Sequence, residues 1–158
     1  VEKIEYKRRN DDWQADEIFA DAEIRADESN SREAKKHLYD LVRFDSKVEK
    51  EFSEDMDVND EVEMYVKLPS QFHIDTPVGN YNPDWAVIFK DGDIDNIYFV
   101  VETKAEDNIG MGINYLSETE KDKIKCAEKH FAEISSGKVK YHALQHFAEL
   151  LERRRQMM

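Results

Sequence analysis

Cysteine is nearly missing from this chain. Cys126 stands alone, which excludes an intramolecular disulfide and a cysteine-based zinc cluster. Set in a helical pattern, it reads as a small apolar side chain in a reducing compartment. Proline occurs 3 times and glycine 5 times in 158 residues, and no low-complexity segment or internal repeat appears. No apolar run approaches the roughly 20 residues of a membrane helix. No signal peptide is visible, so a cytoplasmic location with no membrane partner is expected. The chain opens on Val1 rather than Met, as a piece of a longer protein would. Positive charge is the remaining deficit: 23 Lys and Arg face 36 Asp and Glu, a net charge of -13. A protein that neutralises phosphates normally presents a basic face, because counterion release drives much of the affinity. The deficit argues against tight, autonomous nucleic-acid binding. It argues little against cleavage, if metal ions screen the site and another domain delivers the DNA.

A hydrophobic fraction of 40%, an aromatic fraction of 11% and a charged fraction of 37% describe one globular domain with a heavily ionised surface. Residues 1–30 are acidic, with Trp13, Ile18, Phe19 and Ile24 as the large apolar anchors, and read as a linker or one marginal helix. The folded domain is expected over 31–158. A helix is expected from Ser31 to Val42, with Ala34, Leu38, Leu41 and Val42 on one face. Ser46 with Glu49 forms a capping box, and Val48, Phe52 and Met56 give the stripe of a second helix. Val62, Met64, Val66 and Leu68 alternate with polar residues, as in a half-buried strand that Pro69 ends. Phe72–Asp75 reads as a brief strand, and 77–83 as a loop of turn formers. Trp85–Phe89 and Ile97–Val101 are strands joined by a turn over 90–96. Gly110 and Gly112 mark a loop, and Ser117 with Glu120 is a further capping box. Ile124, Ala127, Phe131 and Ile134 stripe the helix that follows and stops before Gly137. Val139–His142 fits an edge strand, and Phe147, Leu150 and Leu151 a final helix. The sum is an α/β layer with four or five strands flanked by helices.

The chemistry gathers between Thr76 and Lys104. Glu102 and Lys104 end a strand that is apolar throughout, and both point the same way because side chains alternate between faces. If the strand opening at Asp84 pairs antiparallel through the turn, Asp84 and Glu102 become neighbours. Two carboxylates that close repel unless a cation separates them or one takes a proton. Mg²⁺ prefers such hard oxygen ligands and retains several waters. A lysine beside them suits orienting or deprotonating a water, or stabilising charge on phosphorus. The pattern therefore points to divalent-metal hydrolysis of a phosphodiester. As bare letters, Pro-Asp and Glu-x-Lys are each common by chance, and Glu-x-Lys often marks two solvated side chains at a strand end.

The segments Asp45-Ser46-x-Val48-Glu49-x-Glu51-Phe52, Val66-Lys67-Leu68-Pro69, Thr76-Pro77-Val78-Gly79-x-Tyr81-Asn82-Pro83-Asp84-Trp85 and Tyr98-Phe99-Val100-Val101-Glu102-Thr103-Lys104 resemble one family. It is the C-terminal endonuclease domain of the restriction subunit of type III restriction-modification enzymes. Lys123-Ile124-Lys125-Cys126-Ala127 and His130-Phe131 also resemble its helix after the motif. The resemblance implies a restriction-endonuclease-like PD-(D/E)xK fold, a mixed central sheet flanked by helices. It implies Mg²⁺-dependent cleavage of double-stranded DNA, with Mn²⁺ as a substitute. It also implies a helicase-like ATPase in the same subunit and a methyltransferase partner subunit; whether two copies form a dimer to cut both strands stays open. Carried over by position, Asp84 and Glu102 bind metal, the Thr103 carbonyl adds a ligand, and Lys104 serves the water. Glu49 stands where many such nucleases bring a metal-binding Glu from the first helix, although capping accounts for it fully. Lys123 is the best candidate among Lys121, Lys123, Lys125 and Lys129 for touching DNA phosphate, although a solvated helix face explains all four. No Gly-rich Lys-Ser/Thr loop occurs, so no ATP site is expected in this chain.

His37, His73, His130, His142 and His146 lack metal-ligand spacing and read as surface or packing residues. Arg153–Arg155 reads as a solvated helix end. Two other functional classes stay open at this level. The acidic charge fits a non-cleaving interaction module on the same fold, and the fold itself also serves DNA repair and recombination nucleases.

Overall fold

A computed structural model describes residues 30–90, 98–103, 118–134, 139–144 and 146–156. The elements are β1 (Ser31–Glu33), β2 (Leu41–Arg43), α1 (Lys47–Val58), β3 (Val62–Lys67), β4 (Trp85–Phe89), β5 (Tyr98–Thr103), α2 (Glu118–Ile134), β6 (Val139–Leu144) and α3 (Phe147–Arg155). The main sheet is mixed, in the order β3-β4-β5-β6. β4 pairs antiparallel with both β3 and β5, and β6 joins β5 in parallel at the edge. The parallel pair needs a crossover, and α2 lies within it, the usual solution for a β-α-β unit.

Two apolar layers cover the sheet. One packs Phe52 and Met56 of α1 and Phe147 and Leu150 of α3 against Tyr65, Trp85, Val87 and Phe89. Phe52 stacks on Trp85 with centroids 6.3 Å apart and meets Phe147 edge-on at 5.6 Å. Burying each such side chain contributes about 1.5–3 kcal/mol. The other layer packs Ile124, Ala127 and Phe131 of α2 against Tyr81, Ile74 and Tyr141. Helix α1 starts where its sequence announces it: Ser46 Oγ accepts from the Glu49 N–H at 3.2 Å, while the Glu49 carboxylate accepts from the Asp45 N–H at 2.7 Å.

The segment 31–42 is not the expected helix. It forms β1, a connection and β2, with Arg32 opposite Val42. Its 3-and-4 spacing does not mark a buried stripe, since Leu38 and Leu41 are 46% and 41% exposed. The backbone finds better partners elsewhere. Asp57 takes the N–H groups of Lys35 and Lys36 at 3.1 and 3.0 Å, and the Tyr65 carbonyl takes that of Leu38. The connection thereby covers the open edge of β3, a place where unpaired strand groups otherwise invite aggregation. His37 completes the cover: its Nε2 accepts the Lys67 N–H at 3.0 Å.

Phe72–Asp75 forms no strand either. It contributes one bridge, Ile74 to Tyr81, across the following loop. The remaining elements follow the periodicities, with β6 at the edge and running on to Leu144. Arg154 departs from a solvated helix end. It is buried, ion-paired with Glu61, bonded to the Lys90 carbonyl at 2.9 Å, and 4.9 Å above the Phe89 ring. Residues 1–29, Asp91–Asn96 of the expected 90–96 turn, Ile97, the expected Gly110–Gly112 loop, Ser117 and Gly137 lie outside the described residues.

Candidate active site

Asp84 sits immediately before β4, and its approach is braced. Pro83 is fully buried, and the Asp84 carbonyl accepts the Leu68 N–H at 2.8 Å, extending the β3-β4 ladder by one bond. Upstream, Asn82 donates its side-chain amide to the carbonyls of Ser70 and Phe72. Ile74 and Tyr81 exchange backbone bonds, and the Tyr81 hydroxyl meets that of Tyr141 on β6. The tip is a turn in which the Gly79 N–H donates to the Thr76 carbonyl at 3.0 Å. Gly79 has φ of +108° there, a conformation that side chains disfavour.

Register brings the second carboxylate position alongside. Trp85 pairs with Val101 in the antiparallel β4-β5 ladder. One step further along both strands come residues 84 and 102, at the same end of the sheet. Trp85, Val87 and Phe89 lie in the α1/α3 layer, so the pleat assigns position 84 to the opposite, α2-facing side. Glu102 pairs with Ala143, which packs in the α2 layer, so position 102 belongs to that side too. Thr103 is the last residue of β5, opposite Leu144. Lys104, next along the chain, lies outside the described residues.

Glu49 reaches the same end of the sheet on the other face. It is buried, and its carboxylate receives Lys67 as well as the Asp45 N–H. Lys67 also contacts Asp45 at 2.9 Å and lies 5.6 Å from the Trp85 ring. Its hydrogen bond holds the Asp45 carboxyl below the usual carboxylate range. Lys67 stands in the family-like Val66-Lys67-Leu68-Pro69 segment but carries no site role from sequence, because nothing local points to Glu49 as its partner. Lys123, on α2, is half-buried beside the 76–79 turn: a Cβ added to Gly79 would stand 3.8 Å from its Cε and 3.9 Å from its Nζ. Among the described residues no group of three or more His, Cys, Asp or Glu side chains is gathered as a metal cluster.

Residues 35–147 match the model of a family described as an endonuclease domain, well over half of the chain. The chain belongs to that family. No curated protein and no solved structure matches it. Nuclease function in general follows from the family, and the matched span runs from the β1-β2 connection to the first residue of α3. It contains the braced loop, the β4-β5 register and the α2 flank. Among the described residues of this endonuclease domain no helix is long and apolar enough to cross a membrane.

The residue types expected at the shared end of β4 and β5 would suit a hard divalent cation. A carboxylate at 84, one at 102 and a backbone carbonyl at 103 are all oxygen donors, the type Mg²⁺ selects. None of the described histidines is arranged as a competing nitrogen site. Burial pushes the pKa of His37, His130 and His142 downward, and His130 packs edge-on against Phe131 at 5.4 Å.

Proposed function

We propose that this endonuclease domain is the DNA-cleaving module of a type III restriction enzyme, built as a PD-(D/E)xK nuclease. The observation that carries the reading is the β4-β5 register, which makes residues 84 and 102 successive neighbours beyond the Trp85–Val101 pair. In this reading Asp84, Glu102 and the Thr103 carbonyl hold Mg²⁺, or Mn²⁺ in its place. When bound, the ion supplies charge neutralisation at the phosphoryl oxygens and acidifies a coordinated water. Lys104 orients the attacking water and offsets the negative charge that grows on phosphorus. The water oxygen forms the new bond to phosphorus as the opposite P–O bond breaks, with no covalent enzyme intermediate. Glu49 serves mainly to seat α1 and to neutralise Lys67, because its carboxylate already has both partners.

The same reading assigns double-stranded DNA as substrate. It assigns an ATP-driven motor in the same subunit and a methyltransferase subunit as partners, and pairing of two copies to cut both strands. The net charge of -13 supports dependence on those partners for DNA delivery. That charge also favours a second reading, an acidic interaction module that retains the fold without cutting. Plasmid nicking separates the two. Wild type with Mg²⁺ or Mn²⁺ should convert supercoiled plasmid to nicked and linear forms, and Lys104→Ala should lose about 10²–10³-fold, the scale of removing one group that stabilises developing charge. Equal trace activity in both proteins overturns the catalytic assignment. Divalent-ion binding measured by calorimetry should vanish in Asp84→Ala.

A further inference from the structure

The α2 flank of the site suggests how the substrate strand is held. Lys123 emerges from α2 one residue before Ile124, whose burial against Tyr81 and Tyr141 sets the depth of the helix on the sheet. That packing brings the Lys123 ammonium against the 76–79 turn, on the face to which the pleat assigns positions 84 and 102. The neighbouring lysines are engaged differently: Lys121 is paired with Glu118 at 2.8 Å and Lys125 with Asp122 at 3.9 Å. Lys123 has no acidic partner among the described residues. A half-buried ammonium with no anion among the described residues is placed to receive one from outside.

We propose that Lys123 and the Gly79 turn form a phosphate-binding subsite that grips the DNA backbone beside the cleaved bond. This rests on the nuclease reading above. The turn sets the distance: at φ of +108° Gly79 presents bare backbone to the lysine, so a phosphate oxygen can approach without meeting a side chain. One lysine contributes one counterion-releasing contact, with no base preference. It therefore serves any sequence, as a cutter that leaves recognition to a partner requires.

Fluorescence anisotropy of a labelled 20-base-pair duplex, titrated in Ca²⁺ to suppress cleavage at several NaCl concentrations, tests the subsite. Lys123→Ala should weaken binding about five- to ten-fold and lower the salt slope by about one, the signature of a lost phosphate contact. Lys123→Arg should restore both, and Lys129→Ala, an exposed lysine further along α2, should match wild type. If Lys123→Ala binds with wild-type affinity and slope while Asp84→Asn abolishes plasmid cleavage, the subsite is wrong and the nuclease reading survives. If the wild-type protein neither binds the duplex nor cuts plasmid with Mg²⁺, both fall together.

Discussion

Asp57 collects four donors on one carboxylate: the N–H groups of Lys35 and Lys36, the Arg32 guanidinium at 2.7 Å and the Tyr65 hydroxyl at 3.1 Å. Burial opposes its ionisation, but these donors outweigh burial and hold its pKa below the usual carboxylate value. The same contact, with burial leading, pushes the Tyr65 hydroxyl upward. Asp57→Ala should therefore cost about 3 kcal/mol, because it strands a half-buried guanidinium and two backbone donors; urea unfolding measures it, and a loss below about 1 kcal/mol would contradict this account. Cys126, 2% exposed and with its pKa raised by burial, should react with a thiol reagent only as fast as the domain opens. Labelling at the rate of a free thiol under native conditions would be inconsistent with that burial. Neither role was legible beforehand for Asp57, since an Asp late in an amphipathic helix looks solvated until the partner segment is known. Arg154 was hidden for the same reason: a triple-arginine helix end hardly reveals that one of the three lies over Phe89.

At the level of elements, local pattern and tertiary demand agreed in most places. Helix α1 was legible from Ser46, Glu49 and the Val48-Phe52-Met56 spacing because cap and stripe point to the same element. Ser46→Ala should cost about 1 kcal/mol, read as a lowered urea midpoint with an unchanged slope; no shift would show that the Asp45–Glu49 bond caps the helix alone. The antiparallel β4-β5 pairing was legible from two apolar runs around Asp91-Gly92, and residues 84 and 102 stand one step beyond its Trp85–Val101 pair. The connection between β1 and β2 was not. Its apolar letters imitate a helix, while what decides its path is Asp57, about twenty residues downstream, and the open edge of β3. Such a choice is tertiary, and a window of local sequence carries no trace of it. Gly79 belongs to this scale too. Gly79→Ala should strain the turn at its positive φ and reduce cleavage more than global stability, a contrast that plasmid nicking and thermal unfolding together measure.

Across the whole molecule, protonation should act as a two-stage load. His37, His130 and His142 have pKa values lowered from 6.5, each chiefly by burial. The unfolded chain then binds more protons than the native one, so the stability they supply is complete above pH 6.5 and declines as pH falls toward their native values. Asp45 and Asp57, lowered from 3.8, add a second decline below about pH 4. Urea midpoints measured from pH 8 to pH 3 should stay level above pH 7 and then drop in two steps; a midpoint that rises between pH 7 and pH 5 would reverse the sign and refute the scheme. The ladder joining Trp85 to Val101 has a consequence of a different kind. Side chains on a strand obey parity, so removing one residue inside β4 while β5 stays put must either invert the core row or carry residue 84 across the sheet from residue 102. Removing two restores both. The shared face of positions 84 and 102 thus follows an even-odd rule: strand β4 tolerates length changes in pairs, and a chain inheriting an odd one keeps the letters at both positions and loses their common face.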